Sequence, residues 1–482
     1  MFWQTWFQLR PDYQLTARLF LRLLAVIYFI AFASLFGQMA GLVGPDGILP
    51  FSRVLERAYQ LDGWQAWLHL PNLFWFNASA PALQAATVAG CIFSVLLFIG
   101  RLEQLATIAL FVLYLSLFHA GQIFLSFQWD SLLLETGFLA IFLVSGPTLL
   151  LILLYEWLLF RFRFMSGLTK LISDDPSWAS FTALHHYFET QPLPHIGSWY
   201  AHYLPHWLHQ FGVGFTFFTE LLVPFLIFMP RPYRIAAALI TILMQLLLIA
   251  TSNHAYVNLL VIVLCVLLLD DRIISRLLPR KLLPWINKDS GEPGPLKSGL
   301  VLISGLLIVF VSTTAFYMYA MRSPLPEPII KIDDSVQLWG IGHIYHVFPT
   351  MQTTRQELII QGSHDGKTWR NYEFKFKPGE VRRKPAFIVP YHPRLDWMMW
   401  FVPTQSGRQL YWFREFQNQL RKGSPQVLSL LKHNPFPIKQ PRFLRVQAYD
   451  YRFTTAEQRK QSGDWWRREY LGLFPYVAPR QP

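Results

Sequence analysis

The sequence predicts a polytopic α-helical membrane bundle followed by a mostly β, sandwich-like extracytoplasmic domain. Three observations carry this expectation. Hydrophobic residues fill 53% of the 482 positions and charged residues only 15%, against about 25% charged in ordinary soluble domains. Aromatic residues reach 16%, with 18 Trp and 41 Phe, which excludes a disordered chain. Charge is also segregated. Residues 1–320 hold 17 Lys and Arg against 16 Asp and Glu, whereas residues 321–482 hold 25 against 13. The basic surplus therefore belongs to the last third, and the chain divides into a membrane domain, 1–320, and a basic β-rich domain, 321–482. The two cysteines, Cys91 and Cys265, lie in uncharged apolar runs and read as buried, inert thiols, so a disulfide scaffold is excluded.

A membrane-spanning helix needs about 20 mostly apolar residues. The first lies in the uncharged window 23–45 and ends near Gly37; the windows 82–100 and 104–129 follow. Gly146-Pro147 breaks the next apolar run, so 131–145 and 147–162 count as two short crossings or as one re-entrant hairpin. The window 211–229 carries a single acid, Glu220. The 35 uncharged residues 235–269 are interrupted by Thr251-Ser252-Asn253-His254 and read as two spans joined by a tight turn, and 298–321 closes the series. This gives about nine crossings. The first span lacks an A-x-A-like exit and reads as retained.

Short loops keep Lys and Arg on the cytoplasmic side. Loops 10–22, 101, 231–234 and 272–297 (which includes Lys288) are basic, while turns 119–128 and 252–256 carry no Lys or Arg. The amino terminus is then cytoplasmic and the carboxy-terminal domain extracytoplasmic, with Arg53, Arg57, Arg161 and Arg163 as exceptions. The expected setting is the bacterial inner membrane, with the endoplasmic reticulum membrane as the alternative. Two outer segments read as interfacial: 41–81, with Trp64, Trp67 and Trp75, and 167–210, with six of the fourteen histidines.

After residue 320 the long apolar runs give way to short alternating ones. Strands are predicted over 357–361, 368–376, 386–390, 397–402 and 443–452, with Asp365-Gly366 as a hairpin turn. A short helix is predicted over 426–432. The tail 464–469 reads as an amphiphilic helix able to dock on the bilayer.

Ionisable side chains in or beside spans are costly and therefore candidates for function: Arg22, His119, Asp130, Glu135, Glu156, Lys170 and Glu220. A membrane enzyme would draw Lys170, Asp130, His119 and Glu135 around one cavity. The structural alternative pairs Glu135 or Glu220 with Arg22 or Arg163. His202, His206 and His209 have i, i+4, i+7 spacing, but Pro205 interrupts the stretch, so no metal site is predicted. There is no phosphate loop, dinucleotide fingerprint or G-x-S-x-G elbow, and no cofactor is expected. Basic and aromatic residues interleave in the last third in a way that would suit nucleic acid. Outside the cytoplasm, though, membrane lipid headgroups or an acidic protein partner fit better, and no nucleic acid is expected.

Several segments resemble the lipase maturation factor family. These are Gln128-Trp129-Asp130-Ser131-Leu132-Leu133-Leu134-Glu135, Phe164-Met165-Ser166-Gly167-Leu168-Thr169-Lys170-Leu171 and Tyr187-Phe188-Glu189-Thr190-Gln191-Pro192-Leu193-Pro194. In the outer domain they are Gly362-Ser363-His364-Asp365-Gly366-Lys367-Thr368-Trp369, Pro393-Arg394-Leu395-Asp396-Trp397, Asn434-Pro435-Phe436-Pro437 and Trp465-Trp466-Arg467-Arg468. The resemblance runs in order over about residues 15–478. It implies a polytopic protein that helps a secreted hydrolase client, a lipase in animal members, reach its active fold. Trp369, Arg394, Asp396, Trp397, Trp465 and Trp466 are the candidate client contacts. The stretch 164–171 with Trp178 is also similar to vitamin K-dependent gamma-glutamyl carboxylase, where a lysine at the Lys170 position implies a base acting on a quinone; Asp130 departs from the histidine of that family. The enzymatic reading is thus the alternative to a non-enzymatic maturation factor, which the sequence favours.

Overall fold

Each apolar window becomes a helix in the computed structural model, which describes residues 4–286, 294–323 and 325–475; Lys288, assigned above to a basic loop, lies outside them. The helical part comprises α1 (Gln14–Phe36), α2 (Ala80–Phe98), α3 (Glu103–Gly121), α4 (Gln128–Leu143), α5 (Leu149–Leu171), α6 (Ala183–Thr190), α7 (Ile196–His202), α8 (His206–Phe217), α9 (Arg231–Thr251), α10 (Val257–Val266) and α11 (Pro295–Met321). Among the described residues six stretches are long and apolar enough to cross a membrane: Pro11–Phe36, Ala80–Phe98, Glu103–Phe124, His206–Phe228, Arg231–Thr251 and Pro295–Met321. The other three windows give helices that are too short or too charged to join these six. α4 has 16 residues and α10 has 10. α5 carries Glu156, Arg161, Arg163 and Lys170, all buried. The break between α4 and α5 falls at Gly146-Pro147, after which the Thr148 hydroxyl caps α5 by accepting from the Leu151 amide at 3.3 Å. Apolar side chains such as Ile92, Leu105, Leu239 and Leu306 point outward from α2, α3, α9 and α11, as lipid-facing residues should.

The two ends of the bundle differ in chemistry. At one end Arg18 and Arg22 meet Glu103 at 2.9 and 2.7 Å, Arg231 pairs with Asp270, and Asp271 accepts from the Thr16 amide at 2.8 Å. The other end carries segments 41–81 and 167–210 and the 252–256 turn. In the first of these Trp67 stacks on Trp75 with ring centroids 5.2 Å apart, and Trp64 is largely exposed.

The carboxy-terminal chain forms one antiparallel sheet in the order β2-β1-β3-β4, from β1 (Arg355–Ser363), β2 (Arg370–Asn371), β3 (Phe443–Phe453) and β4 (Trp466–Leu473). Among the described residues there is no second sheet to complete the sandwich. The buried side chains Leu358, Ile360, Val446 and Ala448 instead join an apolar cluster with Phe416 of a helix at 411–422. β1 and β3 match the predicted strands, with Ile360 opposite Val446. The return strand of the hairpin shrinks to two residues, and 386–390 forms no strand. The run at 397–402 begins inside α12 (Arg394–Met399) rather than a strand. Pro393 at its N-cap and Asp396 in its first turn are helix-start signals that override the β-prone Trp-Met-Met-Trp-Phe-Val composition. The tail 464–469 is not a bilayer-docking helix; it leads into β4, because pairing with β3 satisfies its backbone. The predicted helix at 426–432 forms only over Pro425–Leu428.

The two parts share one core. A single apolar cluster runs from Phe32, Tyr114 and Trp129 in the helices to Trp397, Met398 and Trp412 beyond them. A second cluster joins Trp199 of α7 to Tyr451, Phe453, Trp465 and Trp466. The basic platform is docked onto the bundle.

Candidate functional site

The seam between the two parts collects three of the seven ionisable candidates, Asp130, Glu135 and His119. Asp130, in the first turn of α4, is fully buried and accepts from both terminal nitrogens of Arg394, at 2.6 and 2.8 Å. The hydroxyls of Tyr114 and Tyr256 donate to the same carboxylate at 2.6 and 3.1 Å. Arg394 also donates to the Phe124 carbonyl, and its backbone amide to Gln38 Oε1 at 2.8 Å. A buried carboxylate needs such a set of donors to offset lost hydration. Five residues further along α4, Glu135 pairs with Arg161 of α5 and accepts from the Gly342 amide at 3.1 Å and from the Tyr345 hydroxyl at 2.9 Å. The His119 Nε2 meets the Leu338 carbonyl at 2.9 Å.

Lys170 lies elsewhere, in the last turn of α5. Its Nζ donates to Glu220 Oε2 at 2.8 Å and to the Ser166 carbonyl at 3.1 Å, and sits 5.3 Å from the Trp178 ring centre. Glu220 is carried by a π-turn, Phe218–Leu222, that follows α8, and its second oxygen is 3.8 Å from Arg163. A cavity beside this pair is lined by Tyr187, Gln245, His254, Asn258 and Phe348. Tyr187 bridges the His254 ring nitrogen at 2.8 Å and the Ser252 hydroxyl at 2.9 Å. Asp130, Glu135 and His119 are absent from this lining, so it does not bring the four residues together. Lys170 itself is buried, with 4% of its surface exposed. The pairing expected for Glu220 with Arg163 is present, whereas Arg22 belongs to Glu103 and Glu135 to Arg161.

Most of the candidate client contacts are not at the surface. Arg394 is occupied by Asp130. Asp396 is buried and accepts from the Phe376 and Lys377 amides at 2.6 and 2.9 Å; burial raises its carboxyl above the ordinary value despite those donors. Trp397 packs edge-on to Trp129 at 5.2 Å. Trp465 lies under the Arg459 guanidinium at 3.5 Å, and Trp466 stacks on Phe453 at 4.3 Å. Only Trp369 of the six keeps an accessible ring, half-buried beneath Arg445 at 4.1 Å. Trp397, Trp465, Trp466 and Arg394 pack within the seam, where a large amphipathic side chain buries its ring and finds a partner for its polar handle.

Other seam residues carried no signal in the sequence. Arg355, at the start of β1, donates to the carbonyls of Glu189, Gln191 and Pro192 and to Glu357 at 2.6 Å. Asn253 bonds the Leu193 and Ala386 carbonyls and the Ile388 amide. Trp199 Nε1 and the Tyr203 hydroxyl donate to Thr454 and Phe453 carbonyls at 3.0 and 3.1 Å. Three of the segments that carried the family resemblance, 128–135, 187–194 and 393–397, thus supply opposite sides of this one seam.

Comparison with known proteins agrees with the geometry. The lipase maturation factor transmembrane domain family matches residues 15–276, and the lipase maturation factor C-terminal domain family matches residues 341–475. The chain is 34% identical to lipase maturation factor 1 of Mus musculus, over 96% of this chain and 87% of the mouse protein. It is 32% identical to lipase maturation factor 2 of Xenopus laevis, over 98% of this chain and 83% of that protein. With lipase maturation factor 2 of Homo sapiens the identity is 31%, over 97% and 83%. No solved structure matches. These relatives are vertebrate proteins and lend no support to a bacterial inner membrane. A multi-pass helical part and a small antiparallel sheet, matched in order by both domain families, leave one conclusion: the chain belongs to the lipase maturation factor family.

Proposed function

We propose that this protein is a membrane-embedded maturation factor that holds a secreted lipase, or a lipase-like hydrolase, on its extracytoplasmic side while the client folds and assembles. The observation that carries the reading is the match to proteins named lipase maturation factor across nearly the whole chain, both parts included. The chain crosses the membrane nine times, with α4, α5 and α10 completing the series, and the membrane and basic domains meet at 320/321. The amino terminus is cytoplasmic. In support, the end bearing Arg18, Arg22, Arg231 and Arg234 lies opposite the end that receives the sheet. The compartment consistent with the relatives is the endoplasmic reticulum.

Folding intermediates expose apolar surface. A client would meet the accessible ring of Trp369 with Arg445, and the outward side chains Tyr470 and Leu473 on β4, a strand at the sheet's edge. An edge strand with unpaired backbone groups is a template for another extended segment. Nothing in this reading requires a reaction, a cofactor or nucleic acid; membrane lipid and the client are the partners.

Crosslinking in native membranes, followed by mass spectrometry of what stays attached, tests it: a secreted lipase should be recovered, with links concentrated on 369, 445 and 466–473. Recovery of no secreted hydrolase would remove the reading. Lys170→Met separates it from the enzymatic alternative. Client activation should persist in that variant at normal protein level, whereas activation lost with client binding intact would mean chemistry at Lys170.

A further inference from the structure

The outer segment 167–210 gathers histidines that the maturation reading does not use. The i, i+4, i+7 trio does not assemble: α7 ends at His202 and α8 starts at His206. His202 turns toward Glu189, 3.9 Å away. A different trio forms across the two helices that flank α7. His185, near the start of α6, lies 3.3 Å from His206 Nδ1 through its Nε2, and its ring centre is 5.1 Å from that of His209. One nitrogen from each of His185, His206 and His209 lies within 4.8 Å of the other two.

The protonation of His209 is set by its neighbour. Its Nε2 faces the Ala201 carbonyl at 2.8 Å, and a carbonyl can only accept, so Nε2 carries the hydrogen and Nδ1 the lone pair. That Nδ1 is buried and has no hydrogen-bond partner among the described residues, in a residue only 4% exposed. A ring fixed by an N–H···O=C contact, with its other nitrogen left free, is the usual state of a metal-ligating histidine. In a tetrahedral zinc site with Zn–N near 2.0–2.1 Å, ligand nitrogens stand about 3.3 Å apart. The His185–His206 pair already has that spacing. His206 is exposed in the first turn of α8; its ring centre lies 4.6 Å from that of His185 and 6.5 Å from that of His209, and the proposal requires its ring to close that second gap.

We propose that His185, His206 and His209 form a zinc site, with the fourth position left to water. Three neutral imidazoles with no thiolate suit a borderline divalent ion such as zinc. The ion ties α6 to α8 on either side of α7, the helix whose Trp199, with the following Tyr203, holds the end of β3. It therefore stiffens the shelf on which the sheet rests.

The test uses the full-length protein in detergent, without a polyhistidine tag, stripped by chelator and re-equilibrated with zinc alone. Wild type and His202→Gln should each retain one zinc per chain after gel filtration. His185→Gln and His206→Gln, which remove a ligand outright, should bind weaker by more than the roughly 100-fold that loss of an outer-shell partner costs, in competition with a chromophoric chelator. Cobalt loaded in place of zinc should give tetrahedral visible bands in the first pair and not in the second. Zinc should raise the thermal midpoint of wild type and leave that of His206→Gln unchanged. Because His206 is a surface residue, that variant decides the matter even if His185→Gln elutes as aggregate. Absence of retained zinc in wild type, retention by His206→Gln, or loss in His202→Gln with retention in His185→Gln would each overturn the assignment.

Discussion

Asp130 and Arg394 are 264 positions apart and form the bidentate pair on which the seam turns. Both are fully buried, so removing one partner strands a charge. Asp130→Asn or Arg394→Met should each cost about 3–5 kcal/mol, a large share of the ~5–15 kcal/mol that holds a typical protein folded. Replacing both, as Asp130→Leu with Arg394→Met, should recover part of that loss because no charge remains unpaired. Recovery stays incomplete because the Tyr114 and Tyr256 hydroxyls, 2.6 Å apart, then have only each other and one of them loses its acceptor. Thermal unfolding of the detergent-purified proteins, followed by tryptophan fluorescence, measures the cycle; single and double variants that melt together with wild type would refute a coupled seam. Asp130 was legible in the sequence as an acid beside a membrane span, and Arg394 as part of a distinctive segment. Their meeting was not, since nothing in a linear chain says which of 25 cations folds back over which acid. For the same reason Trp397 and Trp465 read as sticky surface in the sequence and are core in the fold.

At the scale of elements, α1 is the hub against which other helices close, and it depends on absent side chains. The Phe32 ring fills the space where a Cβ on Gly90 of α2 would stand, and the Tyr28 hydroxyl the space for one on Gly137 of α4. Tyr28 is 1% exposed and cannot swing away. Gly137→Ala should therefore force α1 and α4 apart at a cost of at least about 1–3 kcal/mol, read as a lower thermal midpoint and less protein in the membrane fraction. Adding Tyr28→Phe removes the nearest clashing atom and should restore part of the loss. An unaltered midpoint in Gly137→Ala would show that the helices do not cross so closely. The long apolar helices were the most legible elements because lipid imposes a length and a composition on every span. β1 and β3 were legible from alternation. α12 and β4 were not: the first is β-prone by composition and begins as a helix under Pro393, the second is helix-like by charge and becomes a strand because β3 offers it a ladder.

For the whole molecule, the segregation of charge was plain in the sequence, but it suggested a platform projecting into water rather than one locked onto the bundle. That docking buries histidines, and their burial makes the fold acid-sensitive. His254, in the turn between α9 and α10, is pushed down to about 3 and His343 to about 4, both mainly by burial. Burial, with the Arg394 charge beside it, holds His392 well below its ordinary value too. An unfolded histidine titrates near 6.5, so below that pH the unfolded chain binds more protons than the folded one, and stability falls as pH falls. The contribution of these residues is complete above about pH 6.5 and is lost progressively toward pH 4, at about 1.4 kcal/mol per pH unit for each group. The thermal midpoint of the purified protein should accordingly be level between pH 7 and 8 and drop steeply below about 6.5. His254→Gln, which keeps an acceptor for the Tyr187 hydroxyl, should show a shallower drop than wild type across the same range. A midpoint independent of pH from 7.5 to about 5, or a variant with the full wild-type slope, would mean that the seam stays hydrated enough for its histidines to titrate as they do in water.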